Sequence, residues 1–151
     1  MAEEHRTTEE DIRASGLPYV FLRNGWYLEN HTEQLDGIMA RGVILGAAAK
    51  GRFASAARQD YAAAAAAVLT ADVTGNKIYE LAGEGFTLED FAAEVTRQSG
   101  TKVTYSNLTP EQYEDELIAS GMPVAMAYLV AISIVPRLIA TSMVHPMTSA
   151  I

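Results

Sequence analysis

The stretch that decides the fold is Gly-Leu-Pro-Tyr-Val-Phe-Leu-Arg-Asn-Gly-Trp-Tyr-Leu-Glu-Asn, residues 16–30. Its middle, Tyr19 to Leu22, is a continuous apolar run behind a glycine and a proline, which is typical of a strand buried on both faces in a parallel sheet. The polar pair Arg23 and Asn24 ends that strand. Because ligands bind beyond the carboxyl ends of strands in open α/β sheets, the residues after Leu22 are the first place to look for a site.

The rest of the chain alternates helical and extended patterns around this strand. Helices are predicted over residues 8–15, 28–40, 61–69, 88–99 and 110–119, and strands over 43–45, 77–81 and 102–106. Residues 46–57 form a loop of small side chains, and 62–67 are all alanine, the best helix former, which predicts a helix packed closely against its neighbours. This order predicts an α/β fold with parallel strands around Tyr19 to Leu22.

Three of the predicted helices begin with capping signatures. A hydroxyl followed three residues later by a carboxylate or amide satisfies the free amides of a first helical turn. The pairs are Thr7 with Glu10, Thr8 with Asp11, Thr87 with Asp90, and Thr109 with Gln112.

Composition narrows the class of protein. The chain has 151 residues, 49% of them hydrophobic, which suits a single domain over 1–151 with a sizeable core. Its 11 Lys and Arg stand against 19 Asp and Glu, so nucleic acid is not an expected partner. The sequence has no cysteine, and the acidic residues 1–11 do not resemble a secretory signal, so we expect a cytoplasmic protein.

One uncharged segment, residues 117–136, approaches the roughly 20 apolar residues that a membrane span needs. Pro123 and Pro136 shorten it. A buried helix or an oligomer surface is therefore favoured over a membrane span.

Several well-known site motifs are missing from the sequence. No glycine cluster has the GxGxxG spacing of a dinucleotide loop, and no serine lies in a GxSxG elbow. His5, His31 and His145 are far apart in sequence, so no metal site is predicted.

Residues 24–29 are the best candidate site by position. An Asn-Gly pair followed by two aromatics combines close backbone approach, a polar amide and a flat apolar wall, which would suit a nicotinamide ring. The alternative is that Asn24-Gly25 is only a turn and that Trp26-Tyr27 are core aromatics anchoring the next helix.

Residues 16–30 resemble the strand-and-loop signature of bacterial type 2 quinone oxidoreductases, in the NmrA-like branch of the short-chain dehydrogenases/reductases. Further similarity lies in Phe53-Ala-Ser-Ala-Ala-Arg-Gln-Asp-Tyr, in Lys77-Ile-Tyr-Glu-Leu-Ala-Gly and in Leu88 through Tyr105. The resemblance implies the C-terminal part of a Rossmann-like NAD(P)-binding fold without the N-terminal glycine-rich half, and an NADPH-dependent reduction of a quinone-like ligand. Residues 124–151 match this family poorly and form a divergent apolar tail.

Carried over by resemblance, the residues along the nicotinamide half of the cofactor are Asn24, Gly25, Trp26, Tyr27, Leu28 and Glu29. Arg58 with Asp60 matches a pair near the family's pocket, although a salt bridge anchoring the alanine helix explains it equally well. His5 stands where the superfamily's lysine is expected, and it is either a cofactor contact or an exposed histidine at a helix start. No catalytic residue is assigned.

The sequence leaves three accounts of function open. The chain is the substrate-side part of an oxidoreductase whose independent activity is doubtful, because the helix end that binds the pyrophosphate is not in it. Alternatively it is a non-catalytic module that buries its apolar surfaces in a homo-oligomer. The third account is a remnant without a selected function.

Overall fold

The computed structural model describes residues 3–134 and 145–146, and it is an α/β arrangement as predicted. Its helices are α1 (Glu3–Ala14), α2 (Glu29–Thr32), α3 (Leu35–Arg41), α4 (Arg58–Thr70), α5 (Leu88–Ser99), α6 (Pro110–Ala119) and α7 (Val124–Ile134). Its strands are β1 (Val20–Asn24), β2 (Val43–Gly46), β3 (Lys77–Ala82), β4 (Thr104–Asn107) and β5 (His145–Pro146).

The strands form two small sheets. One has the order β1-β3-β5 and the other pairs β2 with β4, and each of these pairings is parallel. In the first sheet Phe21 is in register with Ile78, and Asn24 with Leu81, so β1 and β3 end side by side. The parallel component predicted around Tyr19 to Leu22 is therefore confirmed.

The core lies beside the second sheet rather than around β1. Side chains of β2, β4, α3 and α5 form one buried cluster, namely Ile38, Ile44, Ala92, Val95 and Val103. A second cluster joins the end of β2 to α6 and α7 through Ala47, Tyr113 and Ala131. The prediction that Tyr19 to Leu22 is buried on both faces was wrong, because these residues are only partly buried and β1 pairs with β3 alone among the described strands.

Helix α1 begins earlier than the sequence predicted. The hydroxyls of Thr7 and Thr8 donate to the carbonyls of Glu3 and Glu4, one turn back, instead of capping a helix start. Such backward bonds are characteristic of residues inside a helix. Gly16, at φ +73°, ends the segment as predicted.

Two further helical predictions needed correction. The segment 28–40 is two short helices, α2 and α3, rather than one. The alanine helix is α4, but Ala62, Ala63, Ala66 and Ala67 are exposed, so this helix is not closely packed on all sides. Methyl groups are too small to reach across to a neighbouring element, and a hollow remains beside the helix.

The helices that begin at Thr87 and Thr109 form as predicted. Asp90 N–H donates to the Thr87 hydroxyl at 3.0 Å and Gln112 N–H to that of Thr109 at 3.2 Å, with the reciprocal bonds present. Gly100, at φ +72°, supplies the left-handed residue that closes α5.

Helix α7 packs against α6. This helix is itself the first part of the predicted apolar tail, 124–151. Within residues 3–134 and 145–146, no helix is both long and apolar enough to cross a membrane. The remainder of the tail, 135–144 and 147–151, lies outside the described residues.

Candidate functional site

Three chain segments converge where β1 and β3 end. Gly25 N–H donates to the carbonyl of Leu81 at 2.8 Å, which extends the ladder by one residue. A Cβ on Gly25 would lie 3.1 Å from the Tyr61 hydroxyl and 3.3 Å from the carbonyl of Ala54, so only glycine fits without displacing a neighbour. The predicted loop 24–29 therefore lies at the carboxyl end of a parallel strand pair.

Residues 26–28 are tied to the segment that leads into α4. Leu28 N–H donates to Ala56 O at 2.9 Å, and Ala56 N–H donates to Trp26 O at 3.3 Å. The ring of Tyr27 meets Tyr61 edge-on at 5.5 Å between centroids. The backbone of this loop is thus held on its inner side by protein groups.

Glu29 and Arg58 connect the loop to the start of α4. The backbone N–H of Arg58 donates to both carboxylate oxygens of Glu29, at 2.9 and 3.1 Å, and this bond lowers the pKa of Glu29. The Arg58 guanidinium lies 3.0 Å from Glu33 and over the ring of Tyr27. The alternative salt bridge of Arg58 with Asp60 was wrong, since residues two apart on a helix do not face each other and Asp60 accepts from Ala57 N–H instead.

Asn24 and Trp26 differ from their neighbours because they are open to solvent. Trp26 is 48% exposed, and Asn24 is exposed at the last position of β1. Among the described residues, neither side chain has a hydrogen-bond partner in the protein. Of the six predicted residues, these two side chains are free to meet a ligand.

His5 is not brought to this loop. It is exposed on the first turns of α1, and that helix contacts β1 through Glu9 and Arg13. The structure thus places the two predicted pocket residues apart, with Arg58 against the loop and His5 on α1.

A polar pair that the sequence did not indicate lies close by. The Oγ of buried Ser55 is 3.3 Å from Nε2 of His31, and the imidazole lies within 5.6 Å, between ring centroids, of Phe53, Phe86 and Phe91. These residues come from α2, the loop before α4, the segment that leads into α5, and α5 itself. No local spacing pattern could have joined them.

Burial makes His31 sensitive to pH. Burial lowers the pKa of His31 below the usual 6.5, so protonation of this imidazole is less favourable in the folded chain than in the unfolded chain. The stabilising contribution of neutral His31 is complete above pH 6.5 and falls as the pH drops through the lowered pKa. We expect the urea midpoint to decrease between pH 7.5 and 5.5, and His31→Gln to reduce this slope.

The control for this slope is His5→Gln, which removes an exposed imidazole. It should reduce the dependence of the urea midpoint on pH less than His31→Gln does, because no buried side chain is lost. Equal slopes in the two variants would show that His31 is not held neutral by its aromatic surroundings.

Metal ligands do not cluster in this part of the molecule. Within residues 3–134 and 145–146, no group of three or more His, Asp or Glu side chains is placed to hold an ion.

The chain is similar in sequence to two known oxidoreductases. It is 45% identical over 132 residues to quinone oxidoreductase 2 of Escherichia coli K12, covering 87% of this chain and 46% of that protein. It is 28% identical over 131 residues to a (4-alkanoyl-5-oxo-2,5-dihydrofuran-3-yl)methyl phosphate reductase of Streptomyces griseus, covering 46% of it. No family model matches the chain.

Solved structures give the same relationship. The NADPH complex of the Escherichia coli quinone oxidoreductase superposes with a TM-score of 0.83 at 44% identity, covering 87% of this chain and 47% of that one. Citrobacter triphenylmethane reductase superposes with a TM-score of 0.82 at 32% identity, covering 86% and 46%. The chain has part of a Rossmann-like reductase fold and spans just under half the length of these relatives.

Proposed function

We propose a function on the premise that this chain is a partial member of the NmrA-like family of type 2 quinone oxidoreductases. On this proposal it carries the residues that contact the nicotinamide and the substrate in an NADPH-dependent quinone reductase. The observation that carries the proposal is the position of Asn24 and Trp26. Both side chains are open to solvent at the carboxyl end of two parallel strands, on a loop held from behind by protein contacts.

The residues of the loop suit a nicotinamide. The amide of Asn24 offers a donor and an acceptor, as a carboxamide requires, and the indole of Trp26 offers a flat apolar surface. Tyr27, Leu28 and Glu29 hold the loop in position through their contacts with 56–61. We therefore assign cofactor contact to Asn24 and Trp26, and positioning to the residues behind them.

When bound, NADPH would supply a hydride to the quinone, and a proton from solvent would complete the hydroquinone. The loop of residues 24–29 would orient the ring and exclude water on one side. Residues 1–151 contain no glycine-rich phosphate loop, so we expect the pyrophosphate to be held by groups outside these residues. On this proposal residues 1–151 by themselves do not turn over quinone.

The test is a titration followed by the fluorescence of Trp26, which is the only tryptophan. We expect saturable quenching by NADPH and by reduced nicotinamide mononucleotide, because both present the nicotinamide to the loop. Adenosine 2′,5′-bisphosphate should not quench. Asn24→Ala should weaken the binding of both quenching ligands about tenfold, the loss expected of one or two hydrogen bonds.

The matched control is Gln98→Ala, which removes an exposed amide on α5 and should leave the affinity unchanged. No quenching by either nicotinamide compound up to millimolar concentration would contradict the proposal. Equal quenching by the adenosine compound would also contradict it.

A second candidate is a non-catalytic module that assembles with copies of itself in the cytoplasm. Helix α7 favours it, since Val124, Met126, Tyr128 and Leu129 are each more than half exposed. An apolar surface of this kind is often an interface. This account becomes the leading one if the nicotinamide titration fails and light scattering at micromolar concentration shows an oligomer.

A further inference from the structure

The buried contact between His31 and Ser55 lies on the same side of the candidate loop as Trp26. Tyr27 and Ala56 form a parallel bridge. Paired residues of such a bridge share one face, and successive side chains alternate between the two faces. The residues before them, Trp26 and Ser55, therefore share the opposite face. The imidazole that meets the Ser55 hydroxyl at 3.3 Å is on the side of the proposed nicotinamide contact.

His31 is also joined to the loop through the backbone. Its N–H donates to Leu28 O at 3.0 Å, and Leu28 N–H donates to Ala56 O at 2.9 Å. Ala56 directly follows Ser55, so the side-chain contact and the backbone bonds close a ring that fastens the loop to residues 54–56. Helix α2 has only four residues and no side-chain cap, and a turn of this length depends on such contacts for its stability.

The surroundings of the imidazole suit its neutral form. The centroids of the Phe53, Phe86 and Phe91 rings lie 5.1, 5.4 and 5.6 Å from that of His31. Burial among these groups lowers the pKa of His31. A positive charge is more stable in water than in this position.

The charged groups on the elements around His31 are exposed or have other partners. Glu84 and Glu89 are exposed. The remaining bonds are those of Glu29 and Glu33 with Arg58, Arg52 with the carbonyl of Gly85, Asp90 with Thr87, and Glu94 with Arg97. None of these groups forms an ion pair with His31, so a proton on the imidazole gains no carboxylate partner in the folded chain.

We propose that the His31–Ser55 contact is a latch, which holds the loop 24–29 closed against residues 54–56 while His31 is neutral and releases it when His31 takes up a proton. The closed loop is the form that binds nicotinamide, and for this ligand the inference rests on the proposed function. His31 and Ser55 are positioning residues, because they act through the loop.

The direction of the pH effect follows from linkage. In the open loop the imidazole is in water and regains its usual pKa of 6.5, whereas the closed loop keeps this pKa lower. Falling pH therefore favours the open loop below pH 6.5, and one such group can shift the equilibrium by at most about tenfold at pH 5.5.

The test is amide hydrogen exchange of the free chain, measured at Leu28 and Ala56. The bonds of these two amides break when the loop leaves residues 54–56. After correction for the intrinsic effect of pH, we expect their protection to fall about threefold to tenfold between pH 7.5 and 5.5. Urea below the unfolding transition should not change it, because local opening exposes little surface. Protection that is independent of pH, or exchange only through urea-dependent unfolding, would overturn the inference.

Two variants separate the proton from the hydrogen bond. His31→Gln keeps an amide that can bond to Ser55 but does not titrate, so protection should become independent of pH. Ser55→Ala removes the partner and should lower protection at both pH values by about threefold to tenfold, the loss expected of one hydrogen bond.

The matched controls are His5→Gln and Ser99→Ala. His5 is an exposed imidazole on α1, and the Ser99 hydroxyl donates to Val95 O within α5. Both variants should behave as the unchanged chain does. A Ser55→Ala variant with unchanged protection would contradict the latch.

The ligand distinguishes the latch from the proposed function. Reduced nicotinamide mononucleotide at ten times its dissociation constant should raise the protection of Leu28 and Ala56 about tenfold, because it binds only the closed loop. Quenching of Trp26 without this rise would overturn the latch and leave the proposed function standing. The expected pH dependence of exchange without any quenching would support the latch and contradict the proposed function.

Discussion

Gly83→Ala is expected to lower the free energy of unfolding by about 3 kcal/mol, at the upper end of the cost of overpacking. A Cβ at this position would lie 2.1 Å from the carbonyl oxygen of Ser55 and 2.9 Å from its carbonyl carbon. Both are backbone atoms, so no rotamer change relieves the clash. Gly83 N–H also donates to Ala54 O at 3.1 Å, which fixes the two segments against each other.

The matched change is Gly37→Ala in α3. A Cβ there would meet only the mobile guanidinium of Arg41, at 3.1 Å, and alanine favours a helix over glycine by about 0.5–1 kcal/mol. Urea unfolding should therefore show stabilisation for Gly37→Ala and destabilisation for Gly83→Ala. Equal midpoints for the two variants would mean that Gly83 does not lie against the backbone of Ser55.

Gly83→Ala should also alter the pH dependence of stability. Displacing Ser55 moves the hydroxyl that lies 3.3 Å from His31, and it loosens the aromatic surroundings that keep the imidazole neutral. The pH slope should approach that of His31→Gln, which links the two measurements.

Features set by neighbouring residues could be predicted from the sequence. The caps at Thr87 and Thr109 form because the hydroxyl and the N–H that it accepts are three residues apart. The same signature failed at Thr8, since upstream residues continue the helix and offer the hydroxyl a carbonyl one turn back.

Features set by distant residues could not be predicted in the same way. Arg58 pairs with Glu33 rather than with Asp60, and His31 meets Ser55, because loops from separate elements come together where β1 and β3 end. The loop 24–29 was placed correctly at a strand end by the rule for parallel sheets. Which side chains of this loop are exposed and which are held by the protein could not be predicted, because that depends on contacts with residues 54–61, which are distant in sequence.

Arg23→Met is expected to lower the melting temperature by about 5 °C or more, because it breaks the link between α1 and the first sheet. Two guanidinium nitrogens of Arg23 donate to the two carboxylate oxygens of Glu9, each at 2.8 Å, and a third donates to Glu80 at 2.6 Å. The Glu9 side chain is only 10% exposed. Without Arg23 it keeps Arg13 as its only cation among the described residues.

The pH dependence identifies the cause of this loss. Bonding to Arg23, with a smaller contribution from Arg13, lowers the pKa of Glu9 from 4.5 to about 2. The stability that this lowered pKa provides is present above pH 4.5 and is lost as the pH falls towards 2. Arg23→Met should therefore make the melting temperature depend less on pH across that range. Adding Glu9→Met should restore part of the stability, because a buried carboxylate that keeps only Arg13 costs more than an apolar pair.

The control is Arg6→Met, on α1, the helix that carries Glu9. Arg6 approaches Glu3 and Glu10 at 3.6 and 3.7 Å with all three side chains exposed, and such pairs contribute little. Its melting curve should match that of the unchanged chain within about 1 °C. Because Arg23 immediately precedes Asn24, its loss should also weaken nicotinamide quenching of Trp26. Unchanged quenching would mean that the attachment of α1 to β1 does not affect the position of the loop 24–29.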